Sequence, residues 1–163
     1  MKRIAVLVAL AAGCTLAGCG SGSSPPATST TTTTAPAAVK NLVVTPAVKA
    51  ALLAAGAASH RLPVSDYTGL RKGLTFYAFD PATGLYWAGA QLVPSPSSQA
   101  AQVGVQDDGA YDLFTMRAGG HWTAYNDGLG TVPGSSCGVV VPLPVRTLWG
   151  WSTSAPCGGP AGV

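Results

Sequence analysis

The chemistry this chain can offer rests on two histidines, six acids that are all aspartate, and four cysteines in 163 residues. Serine hydrolysis needs a nucleophile, a histidine base and an orienting acid within reach of one another. Ser135 and Ser136 follow Gly134, but "GSSCG" lacks the G-x-S-x-G spacing of a nucleophile elbow. His60 falls near the end of an expected helix and His121 at the start of an expected strand, so both read as surface residues. Asp107 and Asp108 are adjacent, as paired carboxylates for glycoside cleavage would not be, since strand neighbours point to opposite faces. "DDG" is better suited to a turn. Calcium wants several oxygen ligands along one loop, and "DDGAYD" and "NDG" are too sparse. No glycine pattern matches a phosphate-binding loop, and no CxxC or HxxxH suggests a metal site. No catalytic residue, metal or cofactor is assigned, and the balance favours a protein that is not an enzyme.

Aromatic residues are the remaining chemical hint. Tyr86, Trp87, Trp122, Tyr125, Trp149 and Trp151 have the amphipathic rings that concentrate at binding surfaces. In a small domain such rings are first of all core, and Trp87 and Trp122 are assigned there. Trp149 and Trp151 sit in "LWGWS", which is Gly-flanked and lacks strand alternation, and they are the candidate ligand-contact aromatics. That role requires Trp151 to be exposed.

Charge narrows the partners. Nine Lys/Arg oppose six Asp, and Lys2 and Arg3 belong to an N-terminal leader, which leaves a body at +1. A near-neutral body without clustered cations lacks the multiple contacts that grip a phosphate backbone, which argues against nucleic acid.

The leader itself reads "MKRIAVLVALAA": a positive start, then an apolar run too short to span a bilayer, the pattern of a secretion signal rather than of a buried N-terminal helix. "LAGC", Leu16 to Cys19, follows. It resembles the lipobox of bacterial lipoproteins, and the resemblance implies a signal peptide over 1–18, cleavage before Cys19 and diacylglyceryl attachment to its sulfur. Cys14 ends a rival "AAGC" that lacks the leucine. Each buried methylene contributes about 0.8 kcal/mol, so two or more chains would hold the protein stably on a membrane.

Residues 19–38 then form a Ser/Thr/Pro-rich stalk with almost no large apolar side chain, unable to repay the entropy of folding. At about 3.1 Å per residue it would span on the order of 50 Å. Thr30, Thr31, Thr32, Thr33 and Thr34 are candidate O-glycosylation sites, the alternative being an unmodified linker. The composition resembles the stalks of actinobacterial, especially mycobacterial, lipoproteins.

Once the leader is removed and Cys19 is lipidated, Cys137 and Cys157 remain. In an oxidising compartment an even pair favours a disulfide over free thiols or a metal pair, adding roughly 3 kcal/mol by loop closure.

The elements that must position these residues lie within 39–163. Thr45 and Pro46 open an expected helix as N-cap and first residue, with Val48, Leu52, Leu53 and Ala55 as its apolar stripe. Strands are expected at "LTFYAF", "LYWAGAQLV", "AAQVGVQ", "AYDLFTMR" and "HWTAYN", the first pair joined by the "DPATG" turn. Pro144 starts a short helix through Trp149. The expected class is α+β: an N-terminal helix packed on a four- to five-stranded antiparallel meander, with a short disulfide-tied C-terminal segment. "YAFDPATGLYWAGA" and the Cys-closed tail resemble small secreted actinobacterial proteins, a resemblance that carries no chemistry. The expectation is a lipid-anchored protein on the extracytoplasmic face of the cell membrane, a binding module for an envelope protein or a glycan. A small envelope hydrolase and a carrier of a lipid or glycolipid are the alternatives.

Overall fold

A ten-residue strand, long for so small a domain, organises the chain. The computed structural model describes residues 37–107, 111–125, 139–153 and 159–160. In chain order the elements are β1 (Lys40–Asn41), α1 (Pro46–Ser59), a 3-10 turn (Val64–Asp66), β2 (Tyr67–Leu70), β3 (Phe76–Asp80), β4 (Leu85–Pro94), α2 (Gln99–Asp107), β5 (Tyr111–Arg117), β6 (Thr123–Tyr125) and α3 (Leu143–Trp149). Every strand pairing is antiparallel, in the order β1-β3-β4-β5-β6, and β2 pairs with the C-terminal residues of β4. The fold is α+β.

The local reasons are visible in the sequence. Thr45 accepts a hydrogen bond from the Val48 amide at 3.2 Å and Pro46 occupies the first turn, as a helix start requires. Leu52, at the centre of the expected stripe, is completely buried, and Val48, Leu53 and Ala55 are partly buried around it. Burying a leucine contributes about 1.5–3 kcal/mol. The helix stops because Arg61 adopts a left-handed conformation (φ 58°), and the Leu62 amide turns back to the Ala57 carbonyl at 3.0 Å. Between β3 and β4, the Asp80 carboxylate accepts from the Ala82 amide at 3.0 Å and the Thr83 hydroxyl at 2.9 Å, while Gly84 supplies φ 67°. This is the turn that "DPATG" predicts.

One expected strand is a helix. "AAQVGVQ" lies within α2, where the Ser98 hydroxyl accepts from the Ala101 amide at 3.2 Å. Ala and Gln favour helix, and an N-terminal Ser cap outweighs a brief two-residue alternation. Ala101 is buried and Val105 partly buried against the sheet. The short strands β1 and β2 were not among the expected ones; the positive φ of Gly69 (145°) and a register shift between Tyr67 and Gly69 obscure β2.

Alternation along the strands splits the core into two layers. On the face covered by α1 and α2, Leu52 and Ala57 meet Ala88, Ala90, Leu92 and Phe114. Small side chains at 88 and 90 let the helix approach closely. On the opposite face, Ala78, Trp87, Tyr111 and Leu113 meet Val145 and Trp149 of α3, and Trp151 beyond it. Gly150 caps α3 at φ 68°, with the Trp151 amide donating to the Arg146 carbonyl at 2.9 Å. This reversal returns the chain to the sheet.

Cys137 and Cys157, expected to tie the C-terminal segment, lie outside the described residues, as do Cys19 and Thr30 to Thr34. Among the described residues no helix is long and apolar enough to cross a membrane.

Candidate functional site

The structure brings together one acid–base pair that the sequence kept 52 residues apart. His60 caps the C-terminus of α1 and Asp112 lies on β5; Nε2 of the imidazole is 3.3 Å from Oδ1 of the carboxylate. His60 therefore does not lie on the surface as expected: its side chain is 2 % exposed, and that of Asp112 0 %. Tyr67 closes the cluster, its ring centroid 6.2 Å from that of His60. Burial, reinforced by the negative charges of Asp112 and Asp66, raises the Tyr67 hydroxyl above the ordinary tyrosine pKa. A general base must reach a substrate proton, and a histidine this deeply enclosed offers no substrate that access. The pair fastens the end of the helix to the sheet.

Trp149 and Trp151, the candidate ligand-contact aromatics, do not form a platform. They are 8 % and 4 % exposed. Trp151 is wedged edge-on against Phe76 (centroids 5.4 Å apart, planes at 85°) and Tyr111 (5.7 Å, 72°), and Trp149 lies 4.8 Å from it. The glycine that isolates "LWGWS" in the sequence is the cap that turns Trp151 inward. Trp87, assigned to the core, is there at 4 % exposure.

A different set of rings reaches the surface. On the face that α1 and α2 cover, the part of the sheet toward the β5–β6 turn carries half-buried Phe79, Tyr86, Tyr77 and Trp122. Phe79 and Tyr86 are cross-strand partners with centroids 4.9 Å apart. Tyr86 stacks on Tyr77 at 5.9 Å and 29°, and Tyr77 meets the edge of Trp122 at 5.8 Å. Trp122 in turn rests on buried Phe114 at 6.4 Å, so the row is anchored at one end in the core. Trp122, assigned to the core, belongs instead to its margin. Phe79, a large side chain expected in the core, is only half-buried, and Tyr77 was not singled out from sequence, although alternation within "FYAFD" separates both from inward Phe76 and Ala78.

Two open grooves flank the β5–β6 hairpin and share Met116, Gly120 and His121. One, of about 420 Å³, runs between the row and α1 and is lined by Ala51, Ala54, Ala55 and Trp122. The other, of about 450 Å³, lies against Leu85, Thr115, Arg117, Thr123 and Tyr125. His121 is exposed at this turn, as expected. Volumes of this size suit a small ligand or one to two sugar rings.

No family model, no curated protein and no solved structure matches this chain.

Proposed function

We propose that this chain is a lipid-anchored protein of the bacterial envelope whose folded domain is a non-catalytic binding module, holding a glycan across the row Phe79–Tyr86–Tyr77–Trp122. The half-exposed row is the observation that carries this reading. Its rings are contiguous, held by the sheet and by one another, and present apolar faces beside two tyrosine hydroxyls. An aromatic face covers the C–H face of a sugar while hydroxyls satisfy its polar rim. The apolar groove under α1 continues the row and gives a chain of sugars a second place to rest. Burial of His60 and Asp112 supports a binding role over a hydrolytic one.

The anchor rests on the "LAGC" resemblance and Cys19, and the stalk over 19–38 would hold the domain away from the lipid. A Cys137–Cys157 disulfide belongs to the same exported state and would close the segment that carries α3 and Trp151. The actinobacterial character of leader and stalk remains part of the proposal.

Binding is tested by following tryptophan fluorescence while the full chain is titrated with the neutral hexasaccharides cellohexaose, maltohexaose and mannohexaose. At least one is expected to bind, with Tyr86→Ala and Trp122→Ala each weakening it about tenfold, the loss of one well-placed aromatic contact. Absence of binding to all three, or equal binding by both variants, overturns the glycan reading. The anchor is tested separately: Cys19→Ser should release the protein from membranes or leave uncleaved precursor, and unchanged processing and location would remove the membrane assignment.

A further inference from the structure

We propose that the groove on the other side of the β5–β6 hairpin is a second site, for an acidic saccharide held through its carboxylate or phosphate. The strand register builds it. Leu85 pairs with Arg117 and Thr115 with Thr123, and Tyr125 lies two residues beyond Thr123, so these side chains share one face of the sheet, opposite the aromatic row. Thr115 and Tyr125 hydroxyls are linked at 3.4 Å. His121 adds a ring nitrogen from the turn.

The lining has one chemical bias. Its described residues supply a guanidinium, an imidazole and three hydroxyls, and among them there is no carboxylate. Arg117 is exposed and makes no ion pair with any described residue. A guanidinium presents paired N–H donors that match the two oxygens of a carboxylate or phosphate. Leu85 supplies an apolar surface beside them, as the carbon skeleton of a sugar needs and a bare anion does not.

The surrounding charge agrees. Burial withdraws two acids, Asp80 and Asp112 (3 % and 0 % exposed), and one cation, Arg146 (8 %), from the exterior. Lys40, Lys49, Arg61, Arg71, Lys72 and Arg117 all remain exposed. Burial among the described residues thus shifts the surface by one positive charge, and a positive field concentrates anions near it. The individual cations are dispersed, so this favours a small anion over an extended polyanion.

The site is tested by amide NMR on the full chain at millimolar glucuronate, glucose 6-phosphate, glucose and inorganic phosphate. Glucuronate or glucose 6-phosphate should move the amides of Thr115, Arg117, His121 and Thr123, while glucose should not. Arg117→Gln should weaken the response about tenfold and Arg117→Lys should recover only part of it, because a bidentate contact is replaced by a point charge. The proposal is overturned if neither acidic sugar moves these amides, if glucose moves them equally, or if Arg117→Gln binds as well as the parent. It is overturned as a saccharide site if inorganic phosphate matches glucose 6-phosphate in affinity. Tyr86→Ala should leave the response intact, so failure of the aromatic row and failure of this groove are separable; shifts confined to Tyr77, Phe79, Tyr86 and Trp122 would locate the acidic sugar on the row and overturn the second site.

Discussion

Nε2 of His60 stands 3.3 Å from Oδ1 of Asp112 with both side chains enclosed, joining the last turn of α1 to the middle strands of the sheet. Removing either side chain breaks this contact inside an enclosed seam. His60→Ala and Asp112→Ala should each cost about 3–5 kcal/mol, and the double variant less than their sum. Urea unfolding of the four proteins measures this; additive losses would show that the two residues do not stabilise the fold as a pair.

Gly56 lies in the same seam. A Cβ placed there would meet Asp112 Oδ2 at 2.8 Å and the Leu92 methyls at 3.0 Å. Alanine favours helix over glycine by about 1 kcal/mol, but crowding a packed seam typically costs about 1–3 kcal/mol. Gly56→Ala should therefore lower the melting temperature. Gly104 in α2 has open space around its Cβ position, so Gly104→Ala should raise it. Thermal unfolding of both variants checks the contrast, and stabilisation by Gly56→Ala would mean that the seam can open without cost.

Three tyrosines resist ionisation. Burial raises the Tyr111 hydroxyl far above the ordinary value of 10.0, and it raises Tyr77 and Tyr67 as well. A raised folded-state value means that the unfolded chain releases the proton first. Stability contributed by keeping these hydroxyls neutral is intact below pH about 10 and is lost as pH rises above it. Ultraviolet absorbance of tyrosinate should show a fraction appearing together with alkaline unfolding, and Tyr111→Phe should shrink that fraction. Complete ionisation before any loss of structure would contradict the enclosed position of Tyr111.

Much of the scaffold was legible because it is decided locally. Thr45-Pro46 caps a helix whatever lies opposite, Asp80 and Gly84 close a turn with their own backbone, and strong alternation marks β4 and β5. α2 was misread where that logic is weakest: five small or polar residues and two valines satisfy either period, and the Ser98 cap together with the packing of Ala101 and Val105 decides between them. The site was less legible still. "LWGWS" looked like an exposed aromatic motif because glycine flanks both rings, yet the capping turn at Gly150 drives Trp151 onto Gly89, where the indole would lie 2.8 Å from an added Cβ. "FYAFD" read as a strand with Phe76 and Phe79 in the core, yet the rings of Tyr77 and Phe79 reach solvent.

By itself, the sequence determined the first helix, the turn after β3 and the longer strands, how little charge the chain carries, and the presence of an "LAGC" stretch that resembles a lipoprotein signal. Tertiary structure alone decided which rings face outward, that His60 meets Asp112, and that Arg117 shares a groove with two threonines and a tyrosine. The physical reason is range. Caps and turns are satisfied within a few residues, whereas the exposure of a side chain depends on strand register and on which helix covers which part of the sheet, and both are fixed by contacts between residues far apart in the chain.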